Sequence, residues 1–338
     1  MEEKSEYILG IESSCDETSA SILKDGKEIL SNAISTQIAT HIKFGGVMPE
    51  IASRLHLENI GYVLDECFKT AKIRPEDISC VAVTGKPGLI GALHVGVMAA
   101  KTFAAYYNLP IIDVHHLAGH IYANEFCGDF VFPLLAVVIS GGNSELVYMK
   151  DHLSFEIVGE TLDDAIGESL DKIARALGLP YPGGVAIDRL TKDKDIVPLK
   201  LPHVKCGGYN LSYSGLKSSL IREINAKKEK GLLDEKSIEQ YAFSAEKAFA
   251  DQLLDKAFKA ADAYSVRQIV MGGGVSANSY IRKEIVRRGE DKYSILIPPL
   301  WCTTDNAAMI AKAGYHMWKS GQISNLGFAP EASAILGE

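Results

Sequence analysis

The chain has 338 residues, with 47% hydrophobic and 23% charged side chains and a formal net charge of -8. This is globular composition, which excludes a disordered chain, a collagen and a coiled-coil rod; at roughly 150 residues per domain it predicts two domains, or two lobes of one. The acidic balance argues against a free-standing, non-specific nucleic-acid binder, while a local basic patch or a partner that brings in nucleic acid stays open.

Six cysteines, Cys15, Cys67, Cys80, Cys127, Cys206 and Cys302, include no Cys-x-x-Cys pair. Neither a zinc ribbon nor a redox motif is indicated, and a reducing cytoplasm is the expected setting. The first residues are acidic and have no apolar run, so no secretory signal is expected. The most apolar stretch, Leu89 to Ala100, is too short to span a bilayer and reads as a buried helix of small residues.

In chain order, Tyr7 to Glu12 reads as a short apolar strand, Ser13 to Thr18 as a polar turn, and Ser19 to Leu23 as a second strand closed by Asp25-Gly26. Helical spacing follows from Pro49 to Thr70, carried by Ile51, Leu55, Leu57, Ile60, Val63, Leu64 and Cys67. Ile78 to Thr84 reads as a strand, and a strand near Pro110 to Val114 follows the small-residue helix. The pattern then restarts: strand Leu134 to Ile139, turn Ser140 to Ser144, strand Glu145 to Met149. Gln268 to Met271 is a strand running into Gly272-Gly273-Gly274 and a helix from Ala277 to Arg288. Ser294 to Ile297 is a strand and Thr304 to Trp318 a helix, while Lys227 to Lys236 is a charged connection. Two strand–turn–strand units predict a duplicated α/β architecture of mixed sheets covered by helices.

Five constellations could carry chemistry. His116 and His120 stand four apart, which puts two imidazoles on one helical face at a spacing that suits a metal; packing or surface histidines are the simpler alternative. His115 would project elsewhere on that helix. A zinc peptidase would need His-Glu-x-x-His, and Leu117 stands where the glutamate would be. The turns Ser13 to Thr18 and Ser140 to Ser144 could offer backbone N–H and hydroxyl donors to phosphate, or be ordinary hairpin turns. Gly272 to Asn278 is a strand–glycine–helix junction open to a close-lying ligand, but it is not the dinucleotide fingerprint, and the chain has no P-loop. Asp164, Glu168 and Asp171 would share a face of one helix, either a solvated face or a ligand-binding one. Asp305 reads as a helix N-cap, or as a third oxygen ligand to a histidine-bound metal.

Taken together and in order, these segments resemble the bacterial TsaD family over essentially the whole chain. The residues that carry the resemblance are Gly10 to Thr18, Gly45 to Glu50, Gly88 to Leu93, His115 to His120, Ser140-Gly141-Gly142, Gly159 to Lys172, Tyr181 to Gly184, Tyr213 to Lys217, Gly272 to Asn278 and Asp305 to Met309. The family usually has His at the position of Asn143, and Cys-Thr-Asp where this chain has Cys302-Thr303-Thr304-Asp305.

The resemblance implies a two-lobe, actin-like (hexokinase, Hsp70) ATPase fold, with an N-terminal lobe over 1–130 and a C-terminal lobe over 131–338 whose last helix packs back on the first. It implies a divalent metal, usually iron, with zinc or magnesium as alternatives, held by His116, His120 and Asp305. Ile139, Ser140, Gly141, Gly142, Asn143, Asp171, Gly184, Asp188 and Asn278 would bind the activated substrate. Gly272, Gly273 and Gly274 would take the adenine nucleotide, whether threonylcarbamoyl-AMP, AMP or ATP. The adenylate would lie between the lobes. The implied reaction moves a threonylcarbamoyl group from threonylcarbamoyl-AMP to N6 of the adenosine 3′ of the anticodon, in tRNAs reading codons that begin with A, and AMP leaves. Glu17 is the catalytic candidate, as a base or as a structural carboxylate.

Implied partners are tRNA, a TsaB-type paralogue on the first lobe, a TsaE-type ATPase and a TsaC-type enzyme that supplies the adenylate; no membrane is involved. Basic candidates for tRNA are Arg54, Lys217, Arg282, Lys283, Arg287 and Arg288, and the helices Ile51 to Cys67 and Gly88 to Ala100 are candidates for the paralogue's face. A metallopeptidase and a sugar-kinase-like ATP-binding module are the rival classes.

Overall fold

The computed structural model describes residues 5–202 and 206–338, so the first four residues of the acidic start lie outside the described part. Contacts divide the chain into two compact units, Met1–Phe126 with Thr304–Glu338, and Cys127–Thr303.

In the first unit, β1 (Tyr7–Glu12), β2 (Glu17–Lys24) and β3 (Glu28–Thr36) form an antiparallel meander. A short α1 (Ile38–His41) and α2 (Pro49–Ala71) follow. Next come β4 (Cys80–Lys86), α3 (Ile90–Tyr107), β5 (Ile111–His115) and α4 (His116–Tyr122). β4 and β5 join as parallel strands, giving the order β3-β2-β1-β4-β5. α2 starts with Pro49 in its first turn, where the missing N–H costs nothing. Its buried face, Ala52, His56, Val63 and Cys67, packs on the sheet beside α3.

The second unit repeats the plan. It contains β6 (Leu134–Ile139), β7 (Ser144–Met149), β8 (Glu156–Glu160), α5 (Ile166–Leu177), α6 (Gly183–Thr191), α7 (Ser214–Glu229), α8 (Glu235–Ala263), β9 (Gln268–Gly272), α9 (Ser279–Gly289) and β10 (Ser294–Leu296). Its sheet order, β10-β9-β6-β7-β8, is the first sheet's order with β6 in the place of β1. β6 is buried at every position because strands flank it on both sides and helices cover it, which is why it reads as a continuous apolar run.

After the second unit, α10 (Ala307–Lys319) returns to the first and packs on β1, β2 and β4. Small residues allow the approach. A Cβ on Gly10 would meet Ala307 O at 2.3 Å, and one on Gly314 would meet the Ala82 Cβ at 2.3 Å. This seam sets the first turn of α10, and with it Asp305, against the end of β1.

Several sequence expectations shift. The small-residue helix extends to Tyr107 and leaves Ile90, Met98 and Tyr106 exposed rather than lying wholly buried. The helix expected from Thr304 starts at Ala307, and the one expected from Ala277 starts at Ser279 after a 3-10 turn over Gly274–Ala277. Strands β3 and β8 carried no legible signal: both are sheet edges with irregular burial.

Candidate functional site

Three side chains converge in the first unit. β5 ends at His115, and α4 begins at once with His116 and carries His120 one turn on. Asp305 precedes α10. His116 Nε2 lies 3.4 Å and His120 Nε2 3.2 Å from the same oxygen, Asp305 Oδ1. The ligand atoms of all three lie within 4.8 Å of one another.

A shell of partners holds this cluster. Glu12, at the end of β1 and fully buried, accepts from His116 Nδ1 at 2.9 Å. Its other contacts are the Thr84 hydroxyl at 2.6 Å and Ser14 N at 2.5 Å. Ser14 Oγ lies 3.2 Å from the same ring nitrogen. The Nε2 edge of His116 is therefore left for Asp305 and a ligand. Burial alone would lower the His116 pKa, but Asp305 and Glu12 on its two sides hold it well above the ordinary imidazole value. Burial wins at His120, which is lowered. The two histidines overcome burial at Asp305 and depress its carboxyl.

This pocket fits a divalent ion. His120 is 1% exposed, yet neither ring nitrogen has an aligned hydrogen-bond partner among the described residues. Leaving buried imidazole nitrogens unsatisfied is costly, and a metal would satisfy one of them. Metal–ligand bonds of about 2.1 Å put neighbouring donors about 3.0–3.4 Å apart, which is the spacing of each imidazole from Asp305 Oδ1. Two imidazoles and one carboxylate suit iron or zinc better than magnesium.

Around the cluster, Glu17 is the first residue of β2, not part of the preceding turn. Burial, then Asp305 and Asp16, raise its carboxyl to about 10, so it is protonated at neutral pH. His56 reaches from α2 to the same loop, with Nδ1 2.8 Å from the Thr18 hydroxyl and Nε2 3.0 Å from Cys15 O.

Two readings of this region are corrected. His115 is not on the metal helix: it ends β5, and its Nδ1 accepts from Leu117 N at 3.2 Å as the cap of α4. Asp305 is not the cap of α10, because Asn306 takes that role by accepting from Met309 N at 3.1 Å. The Asp305 carboxylate is thereby left to the histidines.

In the second unit the remaining candidates gather at neighbouring element ends. Ser140 N donates to Asn143 O at 2.8 Å, and Asn143 N to the Ser140 hydroxyl at 3.0 Å, which closes the turn after β6. Gly141 O accepts from Glu168 N at 3.1 Å in the first turn of α5. Gly272 ends β9, and Gly273, at φ 86°, lies against β6: a Cβ there would meet Ile139 O at 2.3 Å, so only glycine fits in both space and conformation. Gly141, Gly142 and Gly274 are exposed, with open space where a Cβ would stand.

Asp171 on α5 accepts from Gly184 N at 3.0 Å, and Asp188 on α6 accepts from Ser279 N at 2.8 Å. Asn278 caps α9 by accepting from Ile281 N at 3.0 Å, and donates to Glu246 at 2.6 Å. Burial raises both Asp171 and Glu246. The expected face of Asp164, Glu168 and Asp171 is not formed. α5 begins only at Ile166; Asp164 instead binds Lys172 at 3.1 Å and also Lys217, and Glu168 pairs with Lys172 at 2.7 Å.

Sequence reasoning missed Glu12 and Glu246. Each had a signal: Glu12 is the one charge in an apolar strand, and Glu246 sits on the stripe Ala242, Phe249, Leu253 of a helix that otherwise buries apolar residues there. A carboxylate on a buried face is there to bind something.

Residues 28–312 match the family model described as tRNA N6-adenosine threonylcarbamoyltransferase. A protein of that name from Bacillus subtilis (strain 168) is 50% identical over 323 residues, 95% of this chain and 93% of the relative. One from Bacillus thuringiensis (strain Al Hakam) is 48% identical over 327 residues, 96% and 95% of the two chains. Among solved structures, HypF from T. kodakarensis aligns with a TM-score of 0.63 at 14% identity, over 95% of this chain and 49% of that one. Component A of the Acidaminococcus fermentans (R)-2-hydroxyglutaryl-CoA dehydratase aligns with a TM-score of 0.52 at 16% identity, over 92% and 99%. At such identities the likeness is one of fold, the duplicated α/β architecture of actin-like ATPases.

Proposed function

Because the chain belongs to the tRNA N6-adenosine threonylcarbamoyltransferase family, we propose that His116, His120 and Asp305 hold a divalent ion that supports its reaction. The enzyme is a transferase that acts on tRNA, moving a threonylcarbamoyl group to N6 of an adenosine. The convergence of two imidazoles and one carboxylate on a single point in the first unit carries the metal assignment.

The donor in this reading is threonylcarbamoyl-AMP and the acceptor is the adenosine 3′ of the anticodon in tRNAs reading codons that begin with A. N6 attacks the carbamoyl carbon, the bond to the phosphate oxygen breaks, AMP leaves with that electron pair, and N6 gives up a proton. When bound, the ion supplies Lewis-acid polarisation and a template for the mixed anhydride. Adenine's exocyclic amine is a weak nucleophile, so positioning carries much of the rate. The open turns at Ser140 to Asn143 and Gly272 to Gly274 offer backbone N–H groups to the nucleotide. The Ile139 backbone lies against Gly273, close enough that only glycine fits there. Asp171 and Asp188 hold the starts of α6 and α9, so that Gly184 and Asn278 face a fixed site. Burial, Asp305 and Asp16 raise the Glu17 carboxyl in the metal-free protein, which there favours a hydrogen-bond donor over a base.

The donor set suits iron or zinc, and the family resemblance favours iron. No helix of the described residues is long and apolar enough to cross a membrane, and a reaction on tRNA needs the cytoplasm as its setting. The exposed Leu57 and Tyr62 of α2 and Ile90, Met98 and Tyr106 of α3 favour a protein partner on the first unit, which suits a TsaB-type paralogue. A TsaE-type ATPase and a TsaC-type adenylate supplier complete the proposed set. A peptidase reading lacks its base at Leu117, and the relatives described above, at 48–50% identity, carry the transferase name rather than a kinase's.

The experiment is a reconstitution with threonylcarbamoyl-AMP, tRNA and the helper proteins, read by the mass of the released adenosine. The wild type gives the modified nucleoside, and the His116→Ala, His120→Ala double variant loses at least about 100-fold of that rate, the scale of losing a metal's charge stabilisation. Undiminished modification by the double variant refutes the metal assignment.

A further inference from the structure

The segment after α10 forms no regular element, yet it is fastened along its length. Ser324 N donates to Ile111 O at 2.9 Å, and the Ser324 hydroxyl accepts from Asp113 N at 2.9 Å, so the segment begins on the edge of β5. Phe328 gives its carbonyl to Lys101 and its ring to the same ammonium, 4.2 Å from the centroid. Glu331 N donates to Gly85 O at 2.9 Å, and Gly88 N donates to Ala332 O at 3.2 Å. Two residues on, Ala334 O lies 3.3 Å from His115 Nε2. Leu336 is buried beyond it.

His115 has a second duty on its other nitrogen. Nδ1 accepts from Leu117 N, so in this tautomer Nε2 carries the proton and donates to Ala334 O. Leu117 N is a first-turn amide with no preceding helical carbonyl to bind. α4 has only seven residues, so its first turn is a large part of it. His116 has Glu12 to orient its ring, but the His120 ring has no aligned hydrogen bond of its own. The backbone of α4 is therefore what aims His120.

We propose that His115 is a positioning residue through which the C-terminal strap holds α4, and with it His116 and His120, in the ligating arrangement. The strap fixes the imidazole, the imidazole caps the helix, and the helix sets both ligands. The inference rests on the metal reading above, and goes beyond it by giving the strap and His115 a function.

The test is Co2+ affinity of the full chain, measured by chelator competition and by the visible absorption of the bound ion. His115→Ala and a chain ending at Ser333 should each bind Co2+ about 10–100-fold more weakly, the usual effect of losing a group that orients a ligand. His115→Asn should bind Co2+ more tightly than His115→Ala, because an asparagine oxygen can accept from Leu117 N as an N-cap, but about as weakly as the truncated chain, because it too loses the link to Ala334 O. In the His115→Asn background, removal of residues 334–338 should cost no more, since the link through Nε2 is already cut. Wild-type affinity in His115→Ala overturns the proposal, as does a truncation loss of equal size with and without the imidazole. If the shortened chain does not fold, the His115→Ala and His115→Asn pair decides alone. A wild-type chain that takes up no Co2+ refutes the metal reading instead.

Discussion

At the scale of single residues, charge and burial decide what each carboxylate does. Glu12 is buried beside His116, and burial alone would raise its carboxyl, but the imidazole keeps it below the ordinary range and therefore ionised. It thus holds His116 in one orientation. Glu12→Gln should weaken metal retention about 10–100-fold while the chain stays folded, read as metal remaining after dialysis against a chelator; retention equal to wild type would remove Glu12 from the site. Glu145 shows the opposite balance. It lies on β7 directly across from Glu160 on β8, and burial, then that like charge, raise its carboxyl to about 7. A carboxyl whose pKa is higher folded than unfolded costs stability as pH rises, here from about 4.5 through about 7. Glu145→Gln should therefore stabilise the protein by roughly 1–3 kcal/mol at pH 8 and by almost nothing at pH 4. Equal midpoints for the two proteins at pH 8 would contradict this.

At the scale of elements, small residues set the site by letting backbones meet. α10 comes down on β1 and β4 through Gly10, Ala82, Ala307 and Gly314. Gly314→Ala should destabilise by about 1–3 kcal/mol in thermal or urea unfolding, because its Cβ would overlap that of Ala82; a neutral result would show the seam to be loose. The elements differ in how well their sequences announce them. β1, β6 and α2 are plain in the hydrophobic pattern, since each buries a continuous strand or one helical face. His116, His120 and Asp305 could be singled out by residue type and spacing. Spacing could not show that Asn306 takes the cap, or that His115 ends the strand and caps the helix rather than lying on it, because both depend on partners distant in the chain or on exact element ends. The strap from Ser324 to Ala334 was illegible for the same reason: its meaning lies in tertiary contacts.

At the scale of the whole molecule, one plan is used twice. The two sheets share the order of a three-stranded meander followed by two parallel strands, and each first hairpin ends in a polar turn. The sequences of the two turns differ, and so does their chemistry. The first unit adds two histidines after its last strand and an aspartate from the returning chain, while the second opens glycines toward solvent. In the proposed reading duplication supplied the scaffold, and the residues added at the strand ends divided the work into a metal centre and a nucleotide site. X-ray absorption of the metal-loaded enzyme tests the metal centre most directly. The account predicts a first shell of nitrogen and oxygen at about 2.0–2.2 Å with the outer-shell scattering of two imidazoles, one of which disappears in His120→Ala. A first shell containing sulfur at about 2.3 Å, or an unchanged spectrum in that variant, would place the metal elsewhere and contradict it.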